Sequence, residues 1–339
     1  MRRFLNILII CILSAAQGIA CTSVIVSGKA TESGRPLMLK HRDTDDQNNR
    51  VEYFEGEKYC FLGLVNSDAP AGEVWTGTNT AGFSIMNTAS YNFRDDTLDI
   101  PMDREGEMMY KALSVCATVS DFEQLLEDYP KPMGVEANFG IIDAHGGAAY
   151  FEVNNFRWVK YDVNEISCGY RVVTNFCQAG RREDYKGYER YLIASEVMRG
   201  EFTPDADHRF FFNRLSRNTQ ELDGPRIPRK ITSAASVIEG VREGEDVNDI
   251  VMWTILGNPL THIAYPLQVR PGTRLKMQKE QLINKIDNSK ELNSKELSGK
   301  ELNGKELNSK ELNGKELNLK KEQRIYNRFM KKKLRRKEK

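Results

Sequence analysis

The sequence has few histidines and no motif typical of a metal site. Its 339 residues contain four histidines, and none of them stands in an HExxH arrangement. The spacing of the six cysteines also fits no zinc site. We therefore predict no metal and no other cofactor. The four histidines are His41, His145, His208 and His262.

The chain also lacks an excess of charge of either sign, with 49 Lys and Arg against 48 Asp and Glu. This balance hides an asymmetry, because seven of the last nine residues are basic. The near-zero total therefore says nothing about the charge of the folded part. We interpret the basic end as a solvated tail and predict no nucleic-acid partner.

After residue 20 no stretch approaches the roughly 18 apolar residues that a membrane-spanning helix needs. The first 20 residues instead begin with two arginines, continue with an apolar run from Phe4 to Ala16, and place Gly18 and Ala20 before Cys21. This layout is typical of a secretory signal, and it predicts export to the periplasm or the cell exterior. An uncleaved anchor and a lipoprotein are the alternatives, but Gly18 stands where lipoprotein signals usually have Leu.

Cleavage after Ala20 would leave a free amine and a thiol on the same residue, Cys21. In peptides a thiol has a pKa of about 8.5 and an α-amine of about 7.7 to 8.0, so the amine can accept the thiol proton near neutral pH. Such a residue is a nucleophile that carries its own base. In an exported protein the other cysteines of the mature chain could form two disulfides, with the pairing left open. They are Cys60, Cys116, Cys168 and Cys177.

The order of periodic segments predicts an α+β protein. Residues 22–26 and 36–41 are apolar and β-branched around a glycine-containing turn, which predicts a hairpin. Strands, helices, strands, helices and strands then follow, an order that fits two mixed sheets between helical layers. The further predicted strands are 52–54, 60–65, 73–77, 82–87, 138–143, 148–153, 157–163, 170–174, 252–256 and 262–269. The predicted helices are 108–116, 120–129, 183–198, 208–217 and 233–242.

From Lys290 a five-residue unit of the type KELNS repeats six times. Leu recurs every five residues and therefore forms no apolar stripe on a helix, although each Glu precedes the next Lys by four residues. Because every unit also contains Asn, Ser or Gly, we predict a disordered tail. The sequence thus divides into a signal peptide over 1–20, one folded domain over 21–275, and a low-complexity tail over 276–339.

Several short motifs follow one another in a particular order. Cys21-Thr22-Ser23 opens the predicted hairpin, which ends in Arg42-Asp43-Thr44-Asp45. A later strand ends at Asn87, another is followed by Asn175, and Arg190 lies at the start of the next helix. This order resembles that of the N-terminal-nucleophile hydrolases that cleave linear amides. These include the bile salt hydrolase and penicillin V acylase group and the isopenicillin N acyltransferase-like enzymes.

The resemblance spans residues 21–272 and implies a four-layer αββα sandwich. It also implies a catalytic role for six residues. Arg42 would lie near the thiol, Asp45 would contact the amine, and Asn87 would donate to the oxyanion. Asn175 would supply a second polar group, and Arg190 would be a cation near the nucleophile. The six residues are Cys21, Arg42, Asp45, Asn87, Asn175 and Arg190.

The function that the resemblance implies is cleavage or transacylation of a small linear amide, such as an N-acyl amino acid, a conjugated bile salt or penicillin V. One departure is Phe176, since bile salt hydrolases commonly have Pro after this Thr-Asn pair. Two alternatives remain open: a non-catalytic surface lipoprotein lipidated at Cys21, and a dipeptidase of similar architecture. The sequence also leaves open whether the protein forms a homo-oligomer.

Overall fold

A computed structural model describes residues 21–67, 72–219, 226–270, 276–278, 320–332 and 335. The predicted signal peptide and the KELN repeats lie outside the described residues. Over the part of the chain that is described, no helix combines the length and the apolar character needed to cross a bilayer.

Fourteen strands lie within the described ranges. They are β1 (Thr22–Val26), β2 (Leu37–Asp43), β3 (Asn49–Glu55), β4 (Cys60–Asn66), β5 (Thr76–Asn79), β6 (Ser84–Ala89), β7 (Ala137–Ile142), β8 (Ala148–Val153), β9 (Trp158–Asp162), β10 (Tyr170–Val173), β11 (Thr232–Glu239), β12 (Val251–Leu256), β13 (Tyr265–Leu267) and β14 (Lys276–Gln278). The longer helices are α1 (Glu105–Val115), α2 (Val119–Asp128) and α3 (Tyr188–Glu201). A short helix, α4 (His208–Phe210), continues as a π-helical segment, Phe211–Ser216.

The strands form two antiparallel sheets. The six-stranded sheet has the order β10-β1-β2-β11-β12-β13, and the eight-stranded sheet has the order β14-β3-β4-β5-β6-β7-β8-β9. The predicted hairpin is confirmed, with Val24 opposite Leu39. The predicted helix over 233–242 is wrong, because residues 233–239 belong to β11. Its small residues suit a helix, but pairing with β2 on one side and β12 on the other places the segment inside a sheet.

Three apolar cores separate four layers. Helices α1 and α2 pack on the eight-stranded sheet, with Phe122 against Phe139. The two sheets pack on each other through residues such as Ile25 and Leu62. The outer face of the six-stranded sheet, which includes Val24, is covered by α3 and the π-helical segment. The predicted α+β class and αββα arrangement are therefore confirmed.

The tail differs in part from the expectation of disorder. Strand β14 pairs with β3, and residues 320–332 form a helix, here called the tail helix. The tail helix packs on the outer face of the six-stranded sheet, where Phe329 lies edge-on to Trp253 with ring centroids 5.5 Å apart. Glu322 of this helix forms an ion pair with Arg217, whose side chain is only 1% exposed.

The two disulfides that the sequence left possible are absent from the described part of the chain. The five described cysteines are separate thiols, and only Cys168 is exposed. Burial raises the pKa of the Cys116 thiol to about 12 and raises that of Cys177 well above its ordinary value. These two buried thiols therefore stay protonated at neutral pH and behave as small packing groups.

Candidate active site

Cys21 directly precedes β1, lies between the two sheets, and is 2% exposed. Strand β1 pairs with β10 on one side and with β2 on the other, so the nucleophile candidate is held in the interior of its sheet. Side chains alternate along a strand, and the parity of Ile25 directs Cys21 and Ser23 toward the eight-stranded sheet. The opposite face of β1, with Val24, packs against α3 and the π-helical segment.

Asn175 and Arg190 hold the main chain of Cys21. The Cys21 nitrogen donates to Asn175 Oδ1 at 2.6 Å, and Arg190 Nη2 donates to the same oxygen at 2.8 Å. Arg190 Nη1 donates to the Cys21 carbonyl oxygen and, at 2.9 Å, to Thr22 Oγ1. Burial is the main factor that lowers the pKa of Arg190, but an arginine remains charged at neutral pH. Two of the expected site residues thus contact Cys21 directly.

The start of α3 is shaped to admit this arginine. Gly187 precedes the helix with a φ of 77°, a left-handed conformation that glycine adopts without strain. A Cβ atom at this position would collide with the Arg190 guanidinium. A glycine is therefore required here both for the backbone turn and for the buried arginine.

Asn87 and Lys40 lie at the sulfur. Lys40, on β2, is 2% exposed and donates from Nζ to Cys21 Sγ at 3.1 Å. The same amine donates to Asn87 Oδ1 at 3.1 Å and to the Asn87 carbonyl oxygen. Burial lowers the pKa of Lys40, and the Arg42 charge lowers it further, whereas Cys21 and Asp43 act in the opposite direction. Asn87 therefore lies at the site, as expected, but Lys40, which was not expected there, connects it to the Cys21 sulfur.

Arg42 is near Cys21, but its hydrogen bonds go to other residues. Strand β2 continues beyond its predicted end at residue 41, so Arg42 is a strand residue. It donates to Asn49, to Asn66 Oδ1 at 2.7 Å, and lies 5.0 Å from the ring centroid of Trp75. Burial lowers its pKa to about 10. The resemblance places Arg42 near the thiol, and the cation that contacts Cys21 Sγ is Lys40.

Asp45 is not brought to Cys21. It lies in the bend that follows β2 and is exposed. The contact expected of it, with the Cys21 nitrogen, is made by Asn175. The buried carboxylate of this region is Asp43, which accepts from Thr232 Oγ1 at 2.5 Å and lies 3.4 Å from His41 Nε2. Burial would raise the pKa of Asp43, but contacts with His41 and Arg229 hold it below its ordinary value.

Lys40 is the site residue that the sequence analysis missed. It was hidden inside a predicted strand, between Leu39 and His41. The available signal was its parity, since Lys40 pairs with Ser23 and so faces the same side as Cys21. A lysine at an inward position of a strand buried on both faces is unusual, because a buried ammonium needs polar partners.

Away from Cys21, one cluster of the described residues has the composition of a metal site. Donor atoms of Asp207, His208 and Glu239 lie within 4.8 Å of one another. His208 Nδ1 is already 2.7 Å from Glu239 Oε1, and Trp253 donates to the other oxygen of that carboxylate at 3.1 Å. The cluster is therefore explained by hydrogen bonds within the protein.

No protein-family model and no curated protein matches the sequence. Among solved structures, the chain is similar to the Caenorhabditis elegans ortholog of N-acylethanolamine-hydrolyzing acid amidase. That match has a TM-score of 0.50 and 14% identity, and covers 64% of this chain and 92% of the other. The fold is that of the N-terminal-nucleophile hydrolases.

Two further matches have lower TM-scores. The conjugated bile acid hydrolase of Clostridium perfringens gives 0.48 at 11% identity, covering 76% of this chain and 96% of that one. Penicillin V acylase from Agrobacterium tumefaciens gives 0.46 at 14% identity, covering 76% and 90%. In the N-terminal-nucleophile hydrolase fold of the present chain, four of the six expected residues lie together: Cys21, Asn87, Asn175 and Arg190.

Proposed function

We propose that this protein is an exported cysteine hydrolase that cleaves linear amide bonds once residues 1–20 have been removed. The observation that carries the proposal is the set of contacts around a single residue, Cys21. Its nitrogen is bound by Asn175, its carbonyl oxygen by Arg190, and its sulfur by Lys40. An N-terminal nucleophile needs this fixation, because sulfur and amine must both keep their positions while a substrate binds.

The chemistry follows from the same contacts. The thiolate of Cys21 attacks the amide carbon, the leaving nitrogen is protonated, and water then releases the acyl group from the thioester. Asn87 is suited to stabilise the oxyanion. Its Oδ1 accepts from Lys40, and none of the hydrogen bonds found among the described residues uses its Nδ2 donor. A donor of this kind typically lowers the activation barrier by about 2.7 to 4 kcal/mol.

The substrate class that we propose is a linear N-acyl amide, such as an N-acyl amino acid, a conjugated bile salt or penicillin V. The C. elegans amidase, which has the same fold, hydrolyses N-acylethanolamines. The lipoprotein alternative accounts for a cysteine directly after a signal, but it does not account for a buried lysine amine at the sulfur of that cysteine.

The test begins with the mass of the N-terminal peptide of the exported protein, which we expect to start at an unmodified Cys21. Release of amine from the three substrate types and from dipeptides is then measured for the wild type and for Cys21→Ala, Cys21→Ser and Cys168→Ala. We expect Cys21→Ala to lower turnover about 10⁴-fold or more, with the fold retained, and Cys21→Ser to leave little activity. The exposed Cys168 serves as the matched control.

Substantial amide cleavage by the Cys21→Ala protein would contradict the proposal. An acylated or lipidated Cys21 would also contradict it and would favour the lipoprotein. Cleavage of dipeptides in preference to N-acyl amides would identify the enzyme as a dipeptidase with the same nucleophile.

A further inference from the structure

The Lys40 amine lies in a closed polar site with three acceptors. Its Nζ atom is 3.1 Å from Cys21 Sγ and 3.1 Å from Asn87 Oδ1, and it also donates to the Asn87 carbonyl oxygen. Among the ion pairs of the described residues, none joins a carboxylate to this amine. A lysine buried to this extent without a carboxylate is costly in its charged form.

The hydrogen-bond partners of Lys40 fit both protonation states of the Lys40–Cys21 pair. A protonated Lys40 has three N–H donors, two for the Asn87 oxygens and one for a thiolate at Cys21. A neutral Lys40 has two N–H donors for the same two oxygens, and its lone pair can accept from the thiol. The proton can therefore pass between sulfur and nitrogen without any heavy atom moving. A general base must lie within hydrogen-bond distance of the proton that it removes, and the Lys40 amine meets this condition.

The Cys21 nitrogen lies in a different environment. It donates to Asn175 Oδ1 at 2.6 Å, and that oxygen also accepts from the positively charged Arg190. The Cys21 sulfur, in contrast, has Lys40 as its hydrogen-bond partner. The contacts thus connect the thiol to the lysine amine and the main-chain nitrogen to the asparagine.

We propose that Lys40 is the general base that deprotonates the Cys21 thiol and the acid that returns the proton to the leaving nitrogen. Thiolate formation would then need no free α-amine at Cys21. This inference rests on the proposed function for turnover, but the thiol chemistry can be measured without a substrate. The charged groups that act on Lys40 are Cys21 itself, Arg42 on the same strand, and Asp43.

The steps balance without any further reactant. The S–H bond of Cys21 breaks, its proton forms the third N–H bond of Lys40, and the thiolate attacks the amide carbon. When the tetrahedral intermediate collapses, the C–N bond breaks and Lys40 gives its proton to the leaving nitrogen. Lys40 then takes a proton from the water that attacks the thioester, and the departing Cys21 sulfur recovers it.

The experiment compares two forms of the chain over residues 21–339. One form begins with the free amine of Cys21, and in the other a short peptide remains attached to this nitrogen through an amide. The rate at which iodoacetamide modifies the Cys21 peptide is followed by mass spectrometry from pH 5 to pH 9. Lys40→Met removes the amine, Lys40→Arg keeps a cation that accepts no proton at these pH values, and Lys29→Met, at an exposed lysine, is the control.

We expect the two wild-type forms to be alkylated at neutral pH at rates within about threefold of each other. Lys40→Met should slow this alkylation about 10²-fold in both forms and shift its pH dependence upward. Lys40→Arg should keep the thiolate at Cys21 but lose turnover. This result would show that Lys40 acts as a base and not only through its positive charge. Lys29→Met should match the wild type.

Fast alkylation in Lys40→Met, together with its loss when the Cys21 nitrogen is blocked, would overturn the inference and identify the α-amine as the base. Turnover by Lys40→Arg equal to the wild type would overturn it as well. If Lys40→Met does not fold, as judged by circular dichroism, the Lys40→Arg result and the comparison of the two wild-type forms still show whether Lys40 or the α-amine is the base. The alkylation rates are measured without a substrate and do not depend on whether Cys21→Ala is inactive, so the two proposals fail separately.

Discussion

Asn175 accepts a hydrogen bond from the Cys21 nitrogen at 2.6 Å, although the two residues are 154 positions apart in the sequence. The same oxygen, Oδ1, binds Arg190 at 2.8 Å. One side-chain amide therefore joins Cys21 to a buried cation. Both donors would lose this acceptor if the amide were removed.

Asn175→Ala should lower both activity and stability. We expect kcat/KM to fall about 10- to 100-fold and the free energy of unfolding to fall by about 1 to 3 kcal/mol, because buried donors are left without an acceptor. Initial rates and urea unfolding measure the two effects, with the exposed Asn248→Ala as control. If the Asn175→Ala protein matches this control in both measurements, Asn175 is not needed for the site.

Asn87→Ala should lower kcat about 10²- to 10³-fold and change KM little, because an oxyanion donor acts mainly in the transition state. Asn87→Asp is the informative partner variant. It keeps an oxygen that can accept from Lys40 but has no side-chain donor. Steady-state kinetics should give losses of similar size for both variants. Wild-type turnover by Asn87→Asp would show that the donor is not needed.

Glu105 should make the protein less stable as the pH rises. It is the first residue of α1 and is buried, and burial raises its pKa to about 8. A carboxyl whose pKa is raised in the folded state stabilises the fold fully below its ordinary pKa, near 4.3. This stabilisation is lost as the pH rises toward 8, by an amount on the order of 5 kcal/mol.

Glu105→Gln, which cannot ionise, should flatten this part of the pH dependence and make the protein more stable than the wild type at pH 8.5. The comparison needs urea unfolding at pH 5, 7 and 8.5. Glu107→Gln, at an exposed position of the same helix, is the matched control and should keep the wild-type profile. Parallel profiles for wild type and Glu105→Gln would show that Glu105 does not carry the effect.

Glu322→Ala should release the tail helix. Glu322 binds Arg217 Nη1 at 2.9 Å and accepts from the Ala264 nitrogen at 2.8 Å. Removing one partner of a buried ion pair typically costs about 3 to 5 kcal/mol, since the other charge stays buried. Limited trypsin digestion should cut within residues 320–332 faster than in the wild type. Gln323→Ala, at the exposed neighbour, should not change the rate; equal rates in both variants would contradict a docking role for the ion pair.

Much of the candidate site could be predicted because it depends on strand ends. Cys21 directly precedes β1, Asn87 lies two residues before the end of β6, and Asn175 lies two residues after the end of β10. Turn signals and alternation locate such strand ends to within a few residues. Arg190 could be placed because it opens a helix after a glycine. The four residues are far apart in sequence, and their meeting depends in part on the pairing of β1 with β10. The resemblance implied that they meet, but the sequence did not predict this pairing.

The remaining parts depend on tertiary contacts that a single sequence does not encode locally. Lys40 becomes significant only when Asn87 is seen to bind its amine. Asp45 was assigned from a motif, but β2 is longer than predicted and the chain turns outward before this residue. The tail helix is basic and polar on its outer side, and its docking depends on the distant Arg217.

Strand β1 needs partners from two distant parts of the chain. The hairpin with β2 can form soon after residue 43 has been made, but β10 and Arg190 follow much later, and Arg190 is 169 positions from the oxygen it binds. A chain made from its N-terminus therefore passes through a stage in which Cys21 and Lys40 are together while the groups that fix the main chain of Cys21 are still missing. The order of synthesis thus delays the completed site until more than half of the chain has been made, and until then Cys21 is not held in place.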